Sequence, residues 1–314
     1  MRIQSLSLSD RPYQRACLLP IEEELKRRGH TVFQSSDPLP KDDVDGTIAT
    51  TYLYLRKERC NKLKSPIFFS EHGVAIVKDG FRKFFHINAD YMMQSGPIWE
   101  ERARYVAPKY KGNLKVGFPK SDELFNNISN SANIRSDVIK ELNLDPNEPI
   151  IVYAPTYYDP DCYNPGSTQM LETIESLCYK NLLVCLHDFD KVGEKLKGPR
   201  YIRTPNKNRY LLAADLLIGD FSSIVLEFAI LNKPIVQVNP FPKPDHFYIW
   251  RERDYGIFQI GEIANNETVK NAVKRALEDP KQYEFLRKYW VERVFYNLGR
   301  ASKVAVDYME EVLK

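Results

Sequence analysis

Residues Leu211 to Pro234 read LLAADLLIGDFSSIVLEFAILNKP. Leu216, Leu217 and Ile218, bounded by Asp215 and Gly219, form a short unbroken apolar run, the mark of a strand buried on both faces. Asp220, Ser222 and Ser223 are N-cap residue types. Ile224, Val225, Phe228, Ala229 and Leu231 follow at helical spacing, and Asn232 and Pro234 close the helix. The stretch is strand, tight turn, helix. In an open α/β sheet such a turn lies at the carboxyl ends of the strands, where ligands bind. Hydroxyls and unsatisfied N–H groups at a helix start favour a phosphate; the same three residues serve equally well as plain caps.

The alternation extends both ways. Met1–Leu8, Leu18–Arg28 closed by Gly29, and Thr31–Gln34 make a β-α-β unit. Gly46–Thr51, Ile67–Ser70, the run from Asp90 and Leu114–Gly117 are further strands, with a helix from Ile98 to Val106. After a polar, turn-prone stretch, Asn127–Ser131, and a helix over Ile134–Leu142, a second set begins: strands at Ile150–Tyr153, Leu182–Leu186, Tyr201–Arg203, Asp215–Gly219 and Ile235–Val238, with a helix over Met170–Cys178. From Asn266 the chain reads helical, interrupted at Asp279-Pro280 and Gly299. This predicts α/β architecture with two Rossmann-like doubly wound domains facing a central cleft. The expected boundaries are 1–128, a linker over 129–149, 150–290, and a C-terminal helix over 291–314 crossing back to the first domain.

Composition narrows the class. The chain has 314 residues, 43% of them hydrophobic and 28% charged, which is globular and long enough for two domains. Lys plus Arg number 45 against 42 for Asp plus Glu, too balanced to argue for nucleic acid, so any anion site is local. Five cysteines with no C-x-x-C pair indicate neither a disulfide framework nor a zinc site, and point to a reduced, cytoplasmic setting. The N-terminus lacks a signal-peptide core, and no run approaches the roughly 18 apolar residues of a membrane span.

Two of the five histidines stand directly after predicted strands, His72 after Ile67–Glu71 and His187 after Leu182–Leu186. Both therefore project from a sheet's carboxyl edge. Histidine moves protons near neutral pH and, when charged, pairs with phosphate. Gly73 lets backbone approach a ligand closely, and Lys78 supplies a cation for a phosphate or an anionic acceptor. Thr156, after the first strand of the second set, is a ligand contact by the same positional argument. Asp159-Pro-Asp161 and Asp188-Phe-Asp190 match a D-x-D pattern too short to specify a metal, so none is expected. No G-x-x-x-x-G-K-[ST], G-x-G-x-x-G or G-x-S-x-G motif occurs, which removes support for a P-loop ATPase, a dinucleotide dehydrogenase or a serine hydrolase.

Together His72-Gly73 with Lys78 and Gly80, Ala154-Pro155-Thr156, the strand ending in His187, Asp220-Phe-Ser-Ser-Ile-Val-Leu-Glu227-Phe, and Lys233-Pro234 resemble the CDP-glycerol glycerophosphotransferase family. These are the teichoic-acid and capsule primases and polymerases. Tyr296-Asn-Leu-Gly299-Arg-Ala-Ser302 resembles the family's terminal Asp-Gly-x-Ala-Ser segment. The resemblance implies a GT-B fold and transfer of a polyol phosphate from a CDP-activated donor to a hydroxyl of a lipid-linked or polymer acceptor, with release of CMP and no cofactor. It makes His72 the base on the acceptor hydroxyl, with Gly73 and Lys78 near the acceptor or a phosphate. His187, the second catalytic residue, would hold the donor pyrophosphate with Ser222 and Ser223, and Asp220, Thr156 and Glu227 would be further donor- or phosphate-binding residues.

The chain departs from the family pattern at Tyr157-Tyr158, Asp188 and Leu298, where Trp-Arg, Pro and Asp are usual. These bear on the donor, so a nucleotide-sugar glycosyltransferase or a UDP-N-acetylglucosamine 2-epimerase-like enzyme is the alternative within the fold. A binding protein without catalysis is the third reading. A lipid-linked acceptor would bring the protein to the inner face of the membrane, where Arg82, Lys83, Phe84 and Phe85 make a peripheral contact or an ordinary solvated face.

Overall fold

The structure is a computed structural model that describes residues 1–7, 12–35, 43–50, 65–74, 89–104, 110–159, 164–165, 167–187, 190, 195–238, 251–252 and 256–314. The chain divides into two compact units: Met1–Val74, Asp79–Phe125 and Glu292–Lys314 form the first, and Ala75–Lys78 with Asn126–Val291 the second.

The first unit is built on a six-stranded sheet of β1 (Arg2–Leu6), β2 (Thr31–Ser35), β3 (Gly46–Ala49), β4 (Ile67–Ser70), β5 (Tyr91–Gln94) and β6 (Gly112–Lys115). Every pairing is parallel and the order is β2-β1-β3-β4-β5-β6, one of the two common doubly wound orders extended by a strand. Adjacent Phe68 and Phe69 show why the central strand β4 carries apolar residues on both faces. Phe68 packs with Ile3, Leu18, Ile21 and Ile48, while Phe69 packs with Leu6, Ala49, Ile67 and Met92.

The first helix begins at Pro12, earlier than its apolar periodicity suggested, because proline's fixed φ suits a first turn. The C-terminal helix, Ala301–Val312, completes this unit's core with Ala305, Val306 and Met309. Arg28, at the end of the first helix, reaches Asp307 at 2.7 Å and Glu310 at 3.0 Å, and His30 reaches Glu310 at 2.7 Å. His30 thus adds a hydrogen bond beside the Arg28 ion pairs.

The second unit holds β7 (Ile150–Ala154), a short hairpin of β8 (Tyr158–Asp159) and β9 (Asn164–Pro165), then β10 (Asn181–Cys185), β11 (Tyr201–Ile202), β12 (Leu216–Gly219) and β13 (Ile235–Val238). A second short hairpin, β14 (Arg251–Glu252) and β15 (Gly256–Ile257), precedes β16 (Glu262–Ala264). The six-stranded parallel sheet runs β11-β10-β7-β12-β13-β16. Numbered by appearance within that sheet this is 3-2-1-4-5-6, the Rossmann order, whose topological switch point lies between β7 and β12.

Gly219 makes the turn after β12 possible: a Cβ there would stand 2.7 Å from Cγ2 of Val225 in the following helix, Ser223–Ala229. The helix Ser131–Leu142 packs on Asn208–Ala213 within this unit. Neither Asn208–Ala213 nor β16 was readable in advance, since six and three residues are too few to show a period.

Candidate functional site

In the second unit three adjacent strands, β10, β7 and β12, present His187, Thr156 and the Asp220–Ser223 turn at their carboxyl ends. Asp220, fully buried, joins two of these loops across the switch point. Its carboxylate accepts the Thr156 backbone N–H and the Thr156 hydroxyl, both at 2.8 Å, and the Ser222 backbone N–H at 3.0 Å. These bonds tie Thr156 and Asp220, both read from sequence as donor-side residues, to each other and to the turn. The Thr156 hydroxyl proton is committed to Asp220, both carboxylate oxygens are occupied, and both side chains are buried. Their role is to hold the turn.

Ser222 occupies the N-cap position with extended backbone (φ −74°, ψ 160°), yet its hydroxyl does not cap the helix. Its Oγ is buried with no hydrogen-bond partner among the described residues. Asp220 takes the Ser222 N–H, and the serine hydroxyl remains as an unspent donor at a helix start, where an anion is favoured. Ser223 opens the helix beside it. Glu227 lies in the body of that helix, buried and partnered.

His187 packs against Tyr157, the residue after Thr156, with the rings tilted by 40° and their centroids 4.8 Å apart, and its carbonyl accepts the Asp190 N–H at 3.0 Å. Asp190 itself is buried and bonded to Thr168. Among the described residues no group of three or more His, Cys, Asp and Glu side chains converges on a metal position. Lys233 is also structural: its ammonium donates to the Leu212 and Ala214 carbonyls, both at 2.7 Å, at the end of the Asn208–Ala213 helix, and burial lowers its pKa.

In the first unit His72 follows β4. Its Nδ1 lies 3.2 Å from the Thr50 carbonyl, its ring meets Tyr13 edge-on at 5.5 Å, and its own carbonyl accepts the Cys17 thiol at 3.3 Å. A carbonyl only accepts, so the Nδ1–H donates to it, and whenever the ring is neutral its lone pair sits on Nε2. Gly73 follows directly; Lys78, Gly80 and Arg82–Phe85 lie outside the described residues.

The Tyr296–Ser302 segment docks onto this same unit. The Tyr296 N–H reaches the Ser95 carbonyl at 2.6 Å, and the Asn297 amide donates to the Lys115 and Val116 carbonyls at 2.7 and 3.1 Å. Gly117, at φ +102°, admits the Tyr296 carbonyl where a Cβ would be 2.3 Å away. Asp122 receives the N–H groups of Ala301 and Ser302 and the Ser302 hydroxyl at 2.7 to 2.9 Å. The Ala-Ser pair is the start of a helix capped by a distant aspartate.

Two parallel doubly wound units, with hydroxyls, histidines and a helix start at their strands' carboxyl ends, define an α/β protein of the GT-B type. The profile of the CDP-glycerol:poly(glycerophosphate) glycerophosphotransferase family matches residues 86–308, and the chain belongs to that family. It is 35% identical over 136 residues to the teichoic acid glycerol-phosphate primase of Bacillus subtilis (strain 168), covering 39% of this chain and 32% of that protein. It is 26% identical over 239 residues to the teichoic acid poly(glycerol phosphate) polymerase of Bacillus spizizenii, covering 69% and 58%. The chain thus spans about a third to three fifths of the length of these curated relatives.

The wall teichoic acid polymerase TagF shares the fold at a TM-score of 0.69 and 15% identity, over 99% of this chain and 88% of that one. A variant of that polymerase soaked with CDPG matches at 0.68 and 16%, over 100% and 88%.

Proposed function

We propose that the chain transfers a polyol phosphate, glycerol phosphate in first place, from its CDP-activated form to a hydroxyl of a wall- or capsule-polymer acceptor, releasing CMP. The observation that carries this reading is the Ser222 turn, held by Asp220 at the switch point with its hydroxyl unspent. Family membership and the CDPG soak of TagF support the choice of donor. His72 Nε2 takes the proton of the acceptor hydroxyl, whose oxygen attacks the polyol-bearing phosphorus. The bond from that phosphorus to the bridging oxygen breaks, and CMP departs with the electron pair. The Ser222 and Ser223 groups and a protonated His187 neutralise the charge on the donor phosphates. Phosphoryl transfer asks for this positioning and charge stabilisation more than for covalent chemistry.

With a lipid-linked acceptor the reaction takes place at the cytoplasmic face of the membrane, to which the protein binds peripherally. Among the described residues no helix is long and apolar enough to cross a bilayer. The test is calorimetric titration with CDP-glycerol, CDP-ribitol, UDP-N-acetylglucosamine and CMP. A CDP-polyol binds wild type, and Ser222→Ala with Ser223→Ala abolishes that binding; preference for the UDP-sugar moves the protein to nucleotide-sugar chemistry on the same fold.

A further inference from the structure

We propose that Thr168 and Asp190 are positioning residues that keep His187 and the Ser222 turn in one register for the donor phosphates, an inference that rests on the reading of this edge as a donor site. Neither residue belongs to the motifs that carry the family resemblance. Thr168 Oγ1 lies 2.7 Å from Asp190 Oδ2 and 3.0 Å from the Thr156 carbonyl, so its single proton is shared between two acceptors. The Asp190 N–H donates to the His187 carbonyl at 3.0 Å. Thr156 commits its own N–H and hydroxyl to Asp220, which accepts the Ser222 N–H.

The contacts run unbroken from His187 through Asp190, Thr168, Thr156 and Asp220 to Ser222, joining the loops that follow β10, β7 and β12. The four intermediate residues are 0 to 2% exposed. Away from water such a network is stiff while every member is satisfied, and removing one takes a hydrogen bond from each of its buried neighbours. Thr168 is the joint between the His187 loop and the Ser222 side of the edge. Valine matches its shape and lacks its hydroxyl. Thr168→Val therefore loosens both donor-side groups together and leaves His72, which belongs to the other unit, untouched.

The experiment uses the full chain labelled with 13C-histidine, the His187 ring resonance being assigned by its disappearance in His187→Gln. Wild type, Thr168→Val and Thr168→Ser are compared in that resonance, in CMP affinity, and in kcat and KM for CDP-glycerol and acceptor. Thr168→Val is expected to shift the His187 resonance, raise the donor KM and the CMP Kd about tenfold and leave the acceptor KM within twofold, the order of effect of one buried hydrogen bond. Thr168→Ser should restore all three. An unmoved resonance, or a moved one with unchanged donor KM and CMP affinity, overturns the inference.

If wild type turns over no CDP-polyol, the functional reading falls, and the resonance together with CMP affinity still decides this one. Should Thr168→Val fail to fold, Asp190→Asn, which keeps an acceptor oxygen and loses the charge, takes its place with the same readouts.

Discussion

The two units solve one problem by different means. Each is a six-stranded parallel sheet with a histidine following a strand, and each must fix that histidine on a loop. In the first unit a main-chain carbonyl, Thr50, orients His72, and the long-range bracing is done far from it by Arg28, Glu24, Asp307 and Glu310. In the second unit the bracing is at the site itself, where buried Asp220, Thr156, Thr168 and Asp190 knit three loops. An oriented imidazole suits proton transfer, which needs one atom in place. A stitched set of loops suits phosphate binding, which needs several donors at once. The first unit should therefore govern turnover and the second donor affinity.

The largest break in that contrast comes from His72→Ala. Turnover should fall by about 10² to 10⁴, the range for loss of a general base, while CMP binding by calorimetry stays within twofold. Equal loss of both would merge the roles assigned to the two units. Asp220→Asn comes next. It sets an amide N–H₂ against a donor among Thr156 N–H, Thr156 hydroxyl and Ser222 N–H, at a cost of about 1 to 3 kcal/mol measured by urea unfolding, together with loss of CMP binding. Ser222→Ala is gentler and sharper. Because the hydroxyl has no partner among the described residues, stability should be unchanged or slightly raised while the CDP-glycerol Kd rises about tenfold; a drop in Tm would show the hydroxyl to be structural.

The smallest effect concerns the bracing of the first unit. Hydrogen bonding from Arg27, with Arg28 beside it, holds the buried Glu24 carboxyl down at about 2 against an ordinary 4.5. A depressed carboxylate stabilises the fold above its unfolded pKa, and that contribution fades as pH falls from about 4.5 towards 2. With Arg27 largely exposed, its size is about 2 kcal/mol or less. Urea unfolding at pH 7 and pH 3 should show the loss, and Glu24→Gln should remove that part of the pH dependence.

The strands were legible because both sheets are buried on two faces: Leu216–Ile218, Ile150–Tyr153 and Ile67–Phe69 are apolar runs that admit one reading. The turn after β12 was legible from Gly219 and the serines that follow. What stayed hidden are partners distant in sequence. Asp220 meets Thr156 across 64 residues, and Asp122 caps the last helix across 179, and no local pattern announces either pairing. Lys233 and the Tyr296–Ser302 segment carry the look of function, and the structure spends them on carbonyl capping and docking. Thr168 had no sequence signal, and Asp190 stood only in a D-x-D pattern too short to read.

The central claim is a CDP-activated donor attacked by an acceptor hydroxyl under His72. Its most direct measurement is CMP release from CDP-glycerol in the presence of a lipid-linked acceptor, followed by chromatography, for wild type and His72→Ala. The account predicts acceptor-dependent CMP release by wild type and near-complete loss in the variant. Absence of CMP from CDP-glycerol and CDP-ribitol alike, with UDP released from a UDP-sugar instead, would contradict it.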